Sequence, residues 1–156
     1  MSELNQIAAA FFGALGFAFL FNLHGKEIFY TSLGGCLAWC VYLAAGFIVP
    51  QYGKQYFAAA LFLGIYAEFL AVRTKVPATL YLAVGMIPLI PGAALFMMMQ
   101  NAFKADWEQF AQYRLEAFIT GASIAFGTIV AAVCWNIFKN YWFNKNICNI
   151  IYTNTV

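Results

Sequence analysis

The sequence predicts an all-α integral membrane protein with about five membrane-spanning helices, the fourth interrupted by a Pro/Gly motif. Of its 156 residues, 64% are hydrophobic and only 9% are charged, whereas soluble domains carry about 25% charged residues. The apolar residues fall into stretches close to the ~20 residues that a helix needs to cross a bilayer. The net charge of +2 is small and spread over several loops, so no nucleic-acid partner is expected.

The predicted spans cover most of the chain and lie near 4–22, 29–49, 55–72, 77–99 and 113–138. They form a transmembrane domain over residues 1–138 and leave an Asn-rich tail, 139–156, to which we assign no function. The N-terminus lacks a basic n-region, so it is a poor signal peptide and a better first helix. The stretch QNAFKADWEQFAQYRLE between the last two spans suits a short amphipathic surface helix, with interfacial side chains at Trp107, Phe110 and Leu115.

Five spans place the two termini on opposite sides of the membrane, and the basic residues choose between the two orientations. One side holds three lysines and arginines, namely Lys54, Lys104 and Arg114. The other side holds five, namely Lys26, Arg73, Lys75, Lys139 and Lys145. Because cytoplasmic loops carry the excess of positive charge, the N-terminus is predicted outside and the C-terminus in the cytoplasm.

Small residues four positions apart recur along the spans and predict close approach of helix backbones in lipid. The pairs are Ala9 and Gly13, Gly34 and Ala38, Ala60 and Gly64, Gly121 and Ala125, and Gly127 and Ala131. This spacing indicates a compact bundle and no chemistry of its own.

The sequence offers no metal site and no enzyme motif. The four cysteines, Cys36, Cys40, Cys134 and Cys148, lack the CxxC or histidine spacing of a zinc site. We interpret them as small apolar packing residues; a metal or redox pair at Cys36 and Cys40, which share a helical face, is the alternative. No catalytic triad, HExxH motif or phosphate loop occurs, so neither catalysis nor a cofactor is predicted.

The motif VGMIPLIPG, residues 84–92, lies at the middle of the fourth span. Each proline removes the helical hydrogen bond to the carbonyl four residues earlier, and the flanking glycines permit unusual backbone angles. Freed carbonyls suit an ammonium group and a helix N-terminus suits a carboxylate, so a substrate site for an amino-acid zwitterion is predicted, with a structural kink as the alternative. Its residues are Val84, Gly85, Ile87, Pro88, Pro91 and Gly92, and the freed carbonyls are those of Val84 and Ile87. The break is expected to face a partner subunit, with lipid contacts left to Leu80 and Leu82.

Glu68 is a charged residue about one turn from the basic end of the third predicted span. It follows Ala60 and Gly64 at helical spacing, which places it on the closely packed face and away from lipid. There it binds a substrate ammonium or a coupled proton, or it forms a salt bridge with Arg73 or Lys75 at headgroup level. The sequence leaves both interpretations open.

Three further polar or turn-forming residues flank the spans. Pro77 opens the fourth span, where a missing N–H costs little. Thr79 is expected to cap this span or to line an entrance, and it is included among the substrate-site candidates. Asn22 ends the first span, where it caps the helix or bonds across helices. We assign structural or gating roles to Asn22, Arg73, Lys75 and Pro77.

The run AEFLAVRTKVPATLYLAVGMIPLIPGAALF, residues 67–96, resembles the signature of the threonine/serine exporter family. It is similar to that family's second membrane half, which also occurs as a separate small subunit, as in the split succinate exporter. The matching motifs are an AExxAR-like helix end, P-A-T, and G-x-I-P-x-x-P-G. This chain departs from the pattern by displacing Arg73 one position, by Asn22-Leu23-His24 in place of Asn-x-Pro, and by Phe96 where tyrosine is common.

The resemblance implies the small subunit of a secondary transporter that exports threonine or serine across the bacterial inner membrane. Its implied partner is a larger membrane subunit that carries the first half; a homo-oligomer is a further arrangement. An odd number of spans, duplicated, gives two halves of inverted orientation with the site between them. Export of a dicarboxylate such as succinate is the alternative within transport. A scaffold that assembles its partner without transporting is the alternative of another class.

Overall fold

The computed structural model describes residues 3–48 and 52–153, with side chains over 3–48 and 53–141. These residues form helices joined by short turns: α1 (Glu3–Leu20), α2 (Lys26–Ile48), α3 (Tyr52–Thr74), α4 (Ala78–Gly85), a 3₁₀ turn (Ile87–Leu89), α5 (Gly92–Phe103) and α6 (Trp107–Thr153). The all-α class and the interrupted fourth span are therefore confirmed. Three parts of the predictions lie outside the described residues, namely the end of the second span at Val49, the side chain of Cys148 and tail residues 154–156.

Four helices, α1, α2, α3 and α6, are each long and apolar enough to cross a membrane. The first-turn Gly53 of α3 lies against Ile119 of α6, and Gly64 lies further along against Ala131, so α3 and α6 run in the same direction. The segment between them must therefore return across the membrane. Helices α4 and α5 measure about 12 and 18 Å at 1.5 Å per residue. With the 3₁₀ turn they match the ~30 Å hydrocarbon core, and the protein is a multi-pass membrane protein.

Asn22 ends α1 through its backbone. Its φ of 56° is left-handed, and its N–H donates to the carbonyl of Phe19 at 3.0 Å. The N–H of Leu23 donates to the carbonyl of Ala18, also at 3.0 Å. This pair of bonds is the Schellman arrangement, in which asparagine is an accepted substitute for glycine. Of the two roles predicted for Asn22, capping is the one observed.

The prediction of a separate surface helix between the last two spans is wrong. A turn of three residues follows α5, and α6 begins at Trp107. The carboxylate of Asp106 accepts hydrogen bonds from the backbone N–H and the side-chain amide of Gln109, at 3.2 and 3.0 Å. Asp106 is therefore the N-cap that starts the helix, and no proline occurs later in the chain. The 47 residues of α6 include residues 139–153 of the predicted tail. The helix extends about 70 Å, which exceeds the ~40–45 Å of a whole bilayer.

Helices α3 and α6 meet along two of the predicted small-residue pairs. A Cβ on Gly127 would lie 2.8 Å from the carbonyl oxygen of Phe57 and 2.9 Å from the Cβ of Ala60. A Cβ on Gly64 would collide with Ala131. The two backbones therefore touch here, as the spacing predicted. Gly34 and Ala38 of α2 are buried as well, whereas the remaining pairs are exposed: Ala9, Gly13, Gly121 and Ala125.

The interrupted span sends its two halves to different neighbours. Helix α4 packs on α2 and α3, whereas α5 packs mainly on α6. Tyr81 of α4 is fully buried, and its hydroxyl donates to Oγ1 of Thr74 at 2.9 Å. The Thr74 hydroxyl donates in turn to the carbonyl of Leu70 at 2.9 Å. These bonds tie α4 to the end of α3 and leave α5 free to follow another direction.

Candidate functional site

The two carbonyls predicted to be free at the break, those of Val84 and Ile87, both have amide groups directed at them. The N–H of Ile90 donates to the carbonyl of Ile87 at 3.2 Å. The N–H of Met86 is directed to the carbonyls of Val84 and Leu82. The prediction is therefore wrong for Ile87, whereas the carbonyl of Val84 is approached only by the Met86 N–H, which already donates to Leu82 at 2.9 Å. In a 3₁₀ turn, each N–H donates to the carbonyl three residues earlier. Pro88 therefore does not prevent the N–H of Ile90 from donating to the carbonyl of Ile87.

The carbonyl of Gly85 is a free acceptor at the break. Its oxygen lies beside Gly35 of α2, 3.4 Å from the position that a Cβ on Gly35 would take. No described residue donates a hydrogen bond to it. Gly85 itself is needed for close packing, because a Cβ there would lie 2.8 Å from Cδ1 of Leu63. Neither Gly85 nor Gly92 has a positive φ, so the predicted reason for these glycines, unusual backbone angles, is wrong.

The second half of the broken span begins on the open side of the break. Pro91 has φ −74° and ψ 59°, the angles of an inverse γ-turn, and the N–H of Gly92 donates to the carbonyl of Ile90 at 2.7 Å. Gly92 is exposed, with no atom within 4 Å of a Cβ built on it. The first amides of α5 have no acceptor within the helix, as at any helix N-terminus.

A groove of about 280 Å³ lies between α1, α2 and the break. This volume is near the lower end for small-molecule sites and suits a metabolite of a few heavy atoms. Two of the predicted site residues line it, the 3₁₀-turn residues Ile87 and Pro88. The remaining wall consists of Gln6, Ala9, Ala10, Gly13 and Trp39.

Trp39, one of the residues that line this groove, carries an unsatisfied donor. Its indole Nε1 is buried and has no hydrogen-bond partner among the described residues. The ring is held by stacking on Tyr42, with centroids 4.8 Å apart and an interplanar angle of 27°; Tyr42 in turn contacts the ring of Tyr56 at 4.7 Å. Buried polar groups without a partner are rare in native proteins and call for a specific explanation.

The sequence analysis did not identify Trp39 as a candidate site residue, although its position in the middle of a span is unusual for tryptophan. Membrane tryptophans concentrate at the interfaces, where the N–H is hydrated, but Trp39 lies near the middle of α2. An N–H at that depth has no water to bond.

The profile of the family described as Threonine/Serine exporter, ThrE, matches residues 6–134. The chain belongs to the threonine/serine exporter family. The match includes the groove, both halves of the broken span and most of α6. The family is one of transporters and not of enzymes. No curated protein and no solved structure matches the chain.

In this exporter-family chain, Glu68 lies one turn beyond Gly64 on α3 and is partly buried. Among the described side chains it forms no ion pair with Arg73 or Lys75. The guanidinium of Arg73 lies instead 4.9 Å from the ring centroid of Phe69. The salt-bridge interpretation is therefore not realised in this conformation. Glu68 does not line the groove, and a role in binding or proton coupling stays a prediction.

The predicted roles of residues at the start of α4 are partly corrected. Pro77 is the N-cap, with φ −56° and ψ 135°, and so opens the span as expected. Thr79 is exposed and makes no capping bond. Leu80 and Leu82 pack into buried clusters, so assigning them to lipid contact is wrong. They lie on the faces of α4 that meet the rest of the chain.

Proposed function

We propose that this chain is one membrane half of a secondary exporter for threonine or serine in the bacterial inner membrane. The observation that carries the proposal is the groove beside the broken crossing in a member of this family. Trp39, which lines the groove, has an indole N–H with no partner among the described residues, and the unbonded carbonyl of Gly85 lies against Gly35, one helical turn from Trp39 on α2. An amino-acid zwitterion complements both groups, because its carboxylate accepts from the N–H and its ammonium donates to the carbonyl.

The same groove favours an amino acid over a dicarboxylate. Among the residues that the structure describes, no lysine or arginine lines it, whereas two carboxylates favour cationic partners. The basic residues that the sequence places near the predicted site are Arg73 and Lys75. Both are exposed, at and just after the end of α3. Succinate is therefore the second candidate, and it requires cations from another subunit.

The chain is proposed to act with a larger subunit that carries the other half. The groove is bounded by α1, α2 and the break, and Ile90 and Gly92 on the far side of the break are exposed. Irregular backbone at this depth needs protein or a water-filled cavity beside it, which an inverted second half supplies.

The basic-residue count supports an outside N-terminus. Labelling a cysteine introduced at Ala105 from outside the cell tests this, since protection in intact cells contradicts it.

We expect the chain, co-expressed with the larger half, to raise threonine and serine efflux several-fold over either subunit alone. The cells should lack their own exporters and be loaded with threonine from a dipeptide, and external amino acids are then measured over time. Succinate efflux, measured in parallel, should not change. Efflux of succinate alone favours the dicarboxylate function. No efflux of any of the three, with both subunits present in the membrane, contradicts a transport function.

Glu68→Gln tests whether the carboxylate carries a proton or binds the substrate ammonium. We expect threonine efflux to be lost while the protein stays inserted, because the amide neither ionises nor offers a negative charge. Glu108→Gln, on the exposed first turn of α6, is the matched control and should transport normally. Wild-type efflux by the Glu68 variant means that this residue has no part in transport.

A further inference from the structure

A second groove lies on the opposite side of α3 from the break, between the start of α3 and the first half of α6. Its volume is about 970 Å³, more than three times that of the groove at Trp39. Along α6 it extends from Gln112 to Phe126, which corresponds to about 21 Å at 1.5 Å per residue. Half of a bilayer with its headgroups measures about 20–22 Å. The groove is therefore as long as one leaflet is thick.

The two ends of this groove differ in polarity. Lys54 and Glu116 line the end nearer the start of α6, beside Gln112. Phe57 and Phe126 line the far end. Lys54 and Glu116 form no ion pair with each other in the described structure, so one cation and one anion remain available at the mouth. This pattern matches a molecule that has a zwitterionic head and an apolar tail.

Two hydroxyls line the middle of the groove but do not make it a polar site. Thr120 donates to the backbone carbonyl of Glu116 at 2.8 Å, and Ser123 donates to that of Ile119 at 2.7 Å. Both protons are thus used within α6. The middle of the groove therefore offers no hydroxyl donor to a small polar ligand, and it accommodates a hydrocarbon chain without leaving a donor unpaired.

We propose that this groove binds one phospholipid with a zwitterionic, primary-amine headgroup, of the phosphatidylethanolamine type. Lys54 contacts the phosphate, Glu116 accepts hydrogen bonds from the ammonium, and an acyl chain follows α6 toward Phe126. A primary ammonium donates hydrogen bonds to a carboxylate, which a quaternary ammonium does not, and an anionic headgroup gains nothing from Glu116. The site does not depend on the transported substrate.

Lipid competition tests this proposal on the full chain. The protein is reconstituted in vesicles of equal parts phosphatidylethanolamine, phosphatidylcholine and phosphatidylglycerol, extracted in mild detergent, and its retained lipids are measured by mass spectrometry. We expect phosphatidylethanolamine to be enriched about fivefold over the other two lipids, the scale of a partly exposed charge contact. Lys54→Gln and Glu116→Gln should each abolish the enrichment. Lys104→Gln and Glu108→Gln carry the same charge changes outside the groove and should keep it.

A steric variant separates the groove from general folding effects. Ala122 is exposed and lines the groove midway, so Ala122→Phe fills the apolar part without disturbing the core and should remove the bound lipid. Four outcomes overturn the proposal. The first two are equal retention of the three lipids and enrichment that survives the groove variants. The third is displacement of the lipid by excess free threonine, which assigns the groove to an amino acid instead. The fourth is loss of the lipid when the larger subunit binds, because the groove is then a subunit interface.

Discussion

We expect the proposed threonine export to fall at least about tenfold when Pro88 and Pro91 are both replaced by alanine. Each proline disfavours a continuous helix by about 3 kcal/mol or more, so the double variant strongly favours one unbroken helix over residues 78–103. A single straight helix does not keep α4 against α2 and α3 while α5 stays on α6. It also removes the Pro88 ring from the groove wall. The measurement is efflux from loaded cells, normalised to the amount of protein in the membrane.

Pro77→Ala is the matched control for this variant. Pro77 is the N-cap of α4, where no helical hydrogen bond is lost to proline, so export should stay close to wild type. Undiminished export by the double variant means that the break serves packing only. That result favours a scaffold over a transporter half.

Trp39→Phe should lower threonine transport while leaving the fold intact or slightly more stable. Phenylalanine keeps an aromatic ring to stack on Tyr42 and loses the N–H, which has no partner among the described residues. A hydrogen bond to a charged group contributes about 1.5–3 kcal/mol, so kcat/KM for threonine should fall about 10- to 100-fold. An unsatisfied buried donor costs about 1–3 kcal/mol, so its removal should not lower the melting temperature. The opposite signs of the two effects distinguish a ligand contact from a packing contact.

Trp135→Phe on α6 is the matched control for Trp39. Trp135 is partly buried and lies beside Phe138, outside the groove, so its replacement should leave kcat/KM unchanged. Nε1 of Trp39 is buried in the structure, so a contact with substrate requires the groove to open, as the proposed export cycle implies. Equal loss of stability and transport in Trp39→Phe contradicts a contact with substrate.

Much of the helical framework was predictable because its causes are local. The apolar stretches and the prolines mark the crossings, since lipid requires every backbone group to be bonded within a segment. The ends of α5 and α6 were not predicted. The amphipathic stretch around Phe110 suggested an independent surface helix, but the bonds between Asp106 and Gln109 begin α6 there, and nothing later interrupts it.

The sequence by itself determined that this is an all-α membrane protein of the threonine/serine exporter family, with a crossing broken at Pro88 and Pro91. Composition and proline chemistry act on neighbouring residues and are readable along the chain. Only the tertiary structure decided that the unbonded carbonyl of Gly85 lies against Gly35 of α2, and that the indole N–H of Trp39 on the same helix has no partner among the described residues. These depend on how α2 packs against the break, because a hydrogen bond between residues distant in sequence exists only once helix packing has set the distance between them.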